Sequence, residues 1–70
     1  TIRYSLPKAS NVTLKVYDII GNEVSTLVNE FKVPGNYQIK FDASRLSSGV
    51  YFYRIKTEYF TSSKKLILLK

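Results

Sequence analysis

The residues that could carry acid–base or nucleophilic chemistry are few, because the chain has five Asp or Glu and neither His nor Cys. General acid–base catalysis needs a histidine or a pair of tuned carboxyl groups. Serine nucleophiles would lack a histidine base, and a lysine base would need burial that Lys64 and Lys65 are not expected to have. The carboxylates each stand beside a turn signal: Asp18, Glu23, Glu30, Asp42 and Glu58. Turn capping fully explains Asp18 and Asp42. The sequence therefore predicts that the chain is not an enzyme.

Cofactor and metal sites have no better support. Without His or Cys, the usual zinc ligands are missing. The glycines, Gly21, Gly35 and Gly49, stand singly at turn signals. A phosphate-binding loop needs several glycines close together. We expect neither a cofactor nor a metal.

The net charge of +6 is concentrated in residues 36–70, where seven Lys or Arg and two acids give +5. A basic half can bind nucleic acid, an anionic membrane surface or an acidic partner. Exposed Tyr51 and Tyr53 on a basic sheet could stack on single-stranded bases. The lysines are scattered, however, and a small fold needs its aromatic residues for the core. We therefore favour a solubilising face and expect no nucleic-acid partner.

Seventy residues provide one domain, which buries only about 60% of its unfolded surface. No apolar run reaches the ~18 residues of a membrane-spanning helix, so we expect no stable membrane insertion. The first residue is Thr1, and no signal peptide opens the chain. Residues 1–70 are therefore interpreted as a single domain cut from a longer protein.

The most strand-like run lies in residues 46–56, where Gly49 turns the chain into a series of β-branched and aromatic residues. Alternation places Val50, Phe52 and Arg54 on one face, and Tyr51, Tyr53 and Ile55 on the other. Both faces are largely apolar. The pattern predicts a central strand that is covered on two sides.

Period-two alternation predicts further strands at residues 1–6, 12–16, 23–28, 37–41 and about 60–70. Asp18 is expected to cap a hairpin turn in which Gly21 is the left-handed residue. Pro34-Gly35 has the order of a type II turn. Residues 42–46 predict a short helical turn, capped by Asp42 or Ser44, that places Leu46 in the core as a plug.

These elements predict an all-β fold, a small antiparallel immunoglobulin-like or jelly-roll sandwich of six to seven strands. No window has a helical period, and turn signals recur every 8–14 residues. We expect a monomer. Its core is predicted to form around Leu14, Val16, Ile39, Leu46, Val50 and Phe52.

Short motifs extend over the whole chain in a fixed order. They are Ile2-Arg-Tyr-Ser-Leu-Pro7, Val12-Thr-Leu-Lys-Val-Tyr-Asp18, Gly21-Asn-Glu-Val24, Gly35-Asn-Tyr37, Leu46-Ser-Ser-Gly-Val-Tyr51 and Lys64-Lys-Leu-Ile-Leu-Leu-Lys70. As a set they resemble the type A C-terminal sorting domain of the type IX secretion system, found on exported proteins of Bacteroidetes. The family's usual Asn-Pro-Phe opening does not precede Ile2.

The resemblance implies a secretion signal. An upstream cargo domain would cross the inner membrane on its own signal peptide, and the outer-membrane translocon would then recognise this domain from the periplasm. A sortase-like protease would remove it, leaving cargo that is secreted or attached to lipopolysaccharide at the cell surface. The implied recognition motif is Lys64, Lys65, Leu66, Ile67, Leu68, Leu69 and Lys70, and the implied structural motif is Gly21, Gly35, Leu46, Gly49, Val50 and Tyr51.

Two alternatives stay open at this point. Similar sandwiches serve as immunoglobulin-like spacers or flagellar hook-capping modules, which have no sorting role. The terminal segment is either a covered strand flanked by lysine gatekeepers, or a buried strand whose Lys64, Lys65 and Lys70 project outward as a basic rim for the translocon. A partner could also add a strand beside it.

Overall fold

Six strands and no helix make up the computed structural model, which describes residues 1–69. The strands are β1 (Ile2–Leu6), β2 (Ser10–Tyr17), β3 (Glu23–Lys32), β4 (Gly35–Ile39), β5 (Gly49–Lys56) and β6 (Thr61–Leu68). A two-stranded antiparallel sheet, β1–β4, packs on a four-stranded antiparallel sheet of order β3-β2-β5-β6. The predicted small all-β sandwich is therefore confirmed.

Strand β2 carries the clearest alternation and forms the centre of the core. Val12, Leu14 and Val16 are fully buried, whereas the residues between them reach solvent. Leu14 lies opposite Val28 on one neighbouring strand and Ile55 on the other. In β1, β2 and β4 the covered face is the one that carries the apolar residues, because these residues alternate with polar ones.

Strand β5 is interior to its sheet, between β2 and β6, as predicted. Its predicted coverage on both faces is wrong. Tyr51 and Ile55 are 8% and 6% exposed and point inward, whereas Phe52 is 38% exposed and Arg54 is exposed on the opposite face. The second layer covers only one side of the four-stranded sheet, so the other side faces water.

The core differs from prediction at three positions. Leu14 and Val16 are fully buried and Ile39 packs against the core cluster. Leu46 and Val50 are only half-buried and Phe52 is exposed, so their placement in the core is wrong. Leu46 lies in the loop between β4 and β5. The buried cluster consists of Ile2, Leu6, Val12, Leu14, Val28 and Ile55.

Strand β3 is longer than predicted and is irregular. It continues to Lys32, and its register with β2 shifts between Leu14 and Lys15 and again between Val16 and Tyr17. At the first shift Leu27 is left without a direct partner on β2. Such a bulge turns the strand locally, and here Leu27 packs against the same core that buries Val28. Two adjacent apolar residues, Leu27 and Val28, thereby both contact the core.

The turns mostly follow their sequence signals. Asp18 Oδ1 accepts hydrogen bonds from the amides of Ile20 and Asn22, at 3.1 and 2.8 Å, and Gly21 has a φ of +93°. Both features of this hairpin are confirmed. The type II turn at Pro34-Gly35 is wrong: Gly35 begins β4 with a φ of +156°, far from the about +80° of that turn.

Two further connections hold the ends of β4 and β5. Asp42 Oδ1 accepts a hydrogen bond from the amide of Ser44, and the Leu46 amide donates one to the carbonyl of Ala43. The predicted helical turn is therefore a single turn with Asp42 as its cap. Between β5 and β6, the buried Thr57 Oγ1 accepts from the amides of Tyr59 and Phe60.

Candidate functional site

The candidate recognition segment forms the outer strand of the four-stranded sheet. β6 pairs with β5 along its length, and no other strand among residues 1–69 pairs with its second edge. An unpaired edge presents a row of backbone donors and acceptors to which another strand can add. The position of β6 therefore makes this segment accessible to a partner.

The two motifs that the resemblance singled out lie side by side. Gly49 is opposite Leu68, Val50 is opposite Ile67, and Tyr51 is opposite Leu66. The sheet thus brings the start of β5 and the end of β6 together as one paired unit.

Gly49 has a φ of +153°, a conformation that side chains other than glycine rarely adopt. The buried Tyr51 holds the loop before it, since its hydroxyl donates to the carbonyl of Ser47 at 2.8 Å. Both features lie at the start of β5, opposite the end of β6. The other motif residues lie apart from this unit: Gly21 is in the β2–β3 turn, Gly35 pairs with Leu6, and Leu46 is in the β4–β5 loop.

The two described lysines of the segment do not form one rim. Lys64 lies opposite Tyr53 and shares the inner face of the sheet, whereas Lys65 lies opposite Phe52 on the outer face. Both side chains are exposed. The predicted common outward rim is therefore wrong for Lys64 and Lys65, and Lys70 lies outside the described residues. Neighbouring residues of a strand always point to opposite faces.

The apolar residues of the segment are only partly covered. Leu66 and Leu68 face inward and are half-buried, whereas Ile67 is 57% and Leu69 is 88% exposed. The expectation of a buried terminal strand is therefore wrong. Exposed apolar groups on an edge strand favour pairing with another chain, and the adjacent lysines limit nonspecific pairing.

An open trough lies between the two sheets beside Lys64. Its volume is about 580 Å³. Tyr4 and Tyr37 stack on one wall with ring centroids 5.3 Å apart, and Ser5 Oγ donates to Asn36 Oδ1 at 2.7 Å. The residues that line it are Arg3, Tyr4, Ser5, Asn36, Tyr37, Gln38 and Lys64.

The trough has a basic character. Arg3 and Lys64 bring positive charge, and none of the described residues that line it is an acid. Burial raises the pKa of the Tyr4 phenol above its usual value, against the opposing influence of Lys32. The hydrogen bond from Lys32 to Glu30 raises the pKa of that lysine. Because its lining carries positive charge and no acid, the trough suits a polar or acidic segment of a partner.

The remaining site hypotheses can be placed on the structure. The base-stacking alternative required exposed Tyr51 and Tyr53, but Tyr51 is 8% exposed and Tyr53 packs against the core, so that placement is wrong. Residues 1–69 contain no group of three or more acidic, His or Cys residues placed to hold a metal. Over the same residues no helix is long and apolar enough to cross a membrane.

Sequence reasoning missed the trough, which depends on residues from β1, β4 and β6. Arg3 and Gln38 are direct partners in the small sheet, yet nothing in the pattern of either strand indicates that pairing. The part of this site that alternation could have revealed is the opposed orientation of Lys64 and Lys65.

Comparison with known proteins gives one match. A family model described as the secretion system C-terminal sorting domain matches residues 1–69. No curated protein and no solved structure matches the chain.

Proposed function

Because this chain belongs to the family of secretion system C-terminal sorting domains, we propose that the type IX translocon recognises it along the free edge of β6. As a type IX sorting signal, the domain directs a cargo protein to the cell surface or out of the cell. Its family is one of sorting signals and not of enzymes. The proposal adds the surface by which the signal is read.

The observation that carries the proposal is the edge position of β6. Eight residues, Thr61–Leu68, have one edge paired with β5 and the other unpaired within the described chain. A partner strand would gain backbone hydrogen bonds along that edge, and alternate side chains would supply selectivity. Ile67 on the outer face would give that partner an apolar contact.

The two lysines then have separate roles. Lys65 would meet a partner on the outer face, whereas Lys64 would meet one that enters the trough, next to Arg3. Positive groups of this kind steer an acidic partner and set its register more than they add affinity. The domain would act as a monomer, reach the translocon from the periplasm, and be removed from its cargo by a sortase-like protease.

The test is a secretion assay with a fluorescent cargo fused to residues 1–70. We expect the combined variant Lys64→Gln, Lys65→Gln and Lys70→Gln to slow export while leaving the melting curve nearly unchanged, because exposed charges each contribute little to stability. The matched control is Lys8→Gln, Lys40→Gln and Arg45→Gln, which removes the same charge from exposed positions outside β6. Normal export of the folded first variant would refute the role of the lysines.

A second variant tests the edge itself. Ile67→Asp places a charge on an exposed residue of β6, so the fold should persist while an added strand is repelled. If Ile67→Asp is folded and exported at the normal rate, the β6 edge is not the recognition surface. Cleavage is read in the same assay, since removal of the domain shortens the exported protein by about 8.1 kDa.

A further inference from the structure

The outer face of the four-stranded sheet brings three cations together. Lys15 and Arg54 are direct partners across β2 and β5. Lys56 follows Arg54 on the same face, since residues two apart in a strand share a side of the sheet, and it lies opposite Thr13. Lys15 is far from Arg54 and Lys56 in sequence, so residues that looked scattered form a cluster in the folded chain.

The cluster surrounds a small concavity. Its volume is about 240 Å³, and its walls are made by Thr13, Lys15, Tyr17, Arg54 and Lys56. All are residues of two paired strands, so the rigid ladder between β2 and β5 fixes their spacing. The walls thus provide two hydroxyl groups and three cationic groups around one space.

The guanidinium group of Arg54 is already oriented. Its Nη2 donates to the hydroxyl of Tyr17 at 2.8 Å, and its central carbon lies 4.9 Å from the centre of the Tyr17 ring. A side chain held in this way loses less conformational freedom when it binds an anion. The guanidinium group covers one face of the Tyr17 ring.

One carboxylate serves this cluster. Glu23 pairs with Lys15 at 2.8 Å and accepts a hydrogen bond from Thr26. This contact raises the pKa of Lys15, although the charge of Arg54 acts in the opposite direction. Like charges directly opposite each other across two strands are destabilising. After Glu23 is counted, the cluster keeps a net charge of +2, which a compact dianion would balance.

We propose that Lys15, Arg54 and Lys56 form a binding site for a phosphate monoester. The three cations and the hydroxyls of Thr13 and Tyr17 line one concavity, so several donors are available to the oxygens of one phosphate group. A single carboxylate of an acidic peptide carries one negative charge and would leave part of the cluster's charge unbalanced. The site is on the opposite side of the sheet from the trough and does not depend on the proposed recognition by β6.

The experiment is a titration of the isotope-labelled 70-residue chain with inorganic phosphate, followed by amide NMR shifts at constant ionic strength. We expect saturating shifts at residues 13–17 and 54–56, with Kd in the millimolar range. Sodium chloride at the same ionic strength should not reproduce them, because a diffuse ion atmosphere acts on the whole surface. Lys56→Gln should weaken binding about tenfold, the usual loss for one charged hydrogen bond.

The matched control is Lys40→Gln, which removes the same charge from an exposed residue outside the four-stranded sheet. Equal weakening by both variants would overturn the proposal, as would shifts that chloride reproduces. A further arm uses vesicles of phosphatidic acid in phosphatidylcholine. Co-sedimentation that Lys56→Gln abolishes would identify a lipid headgroup as the source of the phosphate; saturation by free phosphate without vesicle binding would identify a soluble or saccharide phosphate.

Discussion

Truncation of Leu14 tests whether the core lies on the inner face of β5 and not on both faces. Leu14 is fully buried, between Val28 and Ile55, which are 7% and 6% exposed. Leu14→Ala removes about three carbon groups, worth roughly 0.8 kcal/mol each by transfer. The cavity that remains raises the expected loss to about 3–5 kcal/mol. The stability loss for Leu14→Ala is compared with the loss for Phe52→Ala, because the sequence alone also placed Phe52 in the core.

Phe52 is 38% exposed on the side of the sheet that has no second layer. Phe52→Ala loses mainly contacts with neighbouring strands, which contribute about 0.2–1 kcal/mol per pair. A chain of this length has a total stability of roughly 4–10 kcal/mol. Truncation of Phe52, although it is the larger side chain, should therefore lower the free energy of unfolding less than truncation of Leu14.

The assay is urea unfolding followed by circular dichroism. With a slope of about 1 kcal/mol per molar urea, Leu14→Ala should lower the midpoint by about 3 M or more and Phe52→Ala by about 1 M or less. A larger loss for Phe52→Ala would refute the assignment of the core face. If Leu14→Ala does not fold at all, Ile55→Val gives a measurable substitute, with an expected loss of about 0.5–1.5 kcal/mol.

Three further changes test turns and charges. Gly49→Ala should lower the free energy of unfolding by about 1–3 kcal/mol in the same urea assay. The φ of +153° at Gly49 is unfavourable for alanine, although no atom lies within 4 Å of the added carbon. An unchanged midpoint would exclude this backbone role. Asp18→Ala should lower the free energy of unfolding by about 1 kcal/mol, because it removes two turn hydrogen bonds. Asp18→Asn should keep most of the stability, and equal losses for the two variants would contradict the turn assignment. The hydrogen bonds from Lys15 and Thr26 lower the pKa of Glu23 below 4.5, so the stabilising effect of the Glu23 carboxylate should be present above pH 4.5 and disappear as pH falls through the lowered folded-state pKa. A carboxyl NMR titration should show that the pKa of Glu23 rises in Lys15→Gln, and no rise would refute the pairing.

Alternation was sufficient for the strands that have one apolar face. In β1, β2 and β4 the apolar residues recur at every second position, so the sequence determined which side is buried. It was insufficient for β5, whose two faces are both rich in apolar residues. Which face of β5 is covered depends on the size of the second layer, and the pairing of Ile2–Leu6 with Gly35–Ile39 is a long-range contact that no local pattern encodes.

The bulges of β3 and the shape of the candidate site were also beyond the sequence pattern. Adjacent Leu27 and Val28 could not be assigned to faces by a strict period of two, because a register shift places both against the core. The error over Lys64 and Lys65 was of another kind. Adjacent strand residues point to opposite faces, so the sequence already excluded a common rim as soon as the segment was recognised as a strand.

The inward orientation of Lys64 limits how a partner can complete this sandwich. Lys64 lies on the same face as the buried Tyr51 and Ile55, towards the two-stranded layer, yet it is exposed and borders the open trough. A partner strand that extended this layer would bury the ammonium group, and burial of an unpaired charge is strongly unfavourable. Such a partner must therefore place a carboxylate beside Lys64, whereas a strand added to the edge of β6 leaves that charge in water. Edge addition is accordingly the mode of binding that imposes the fewest requirements on the partner.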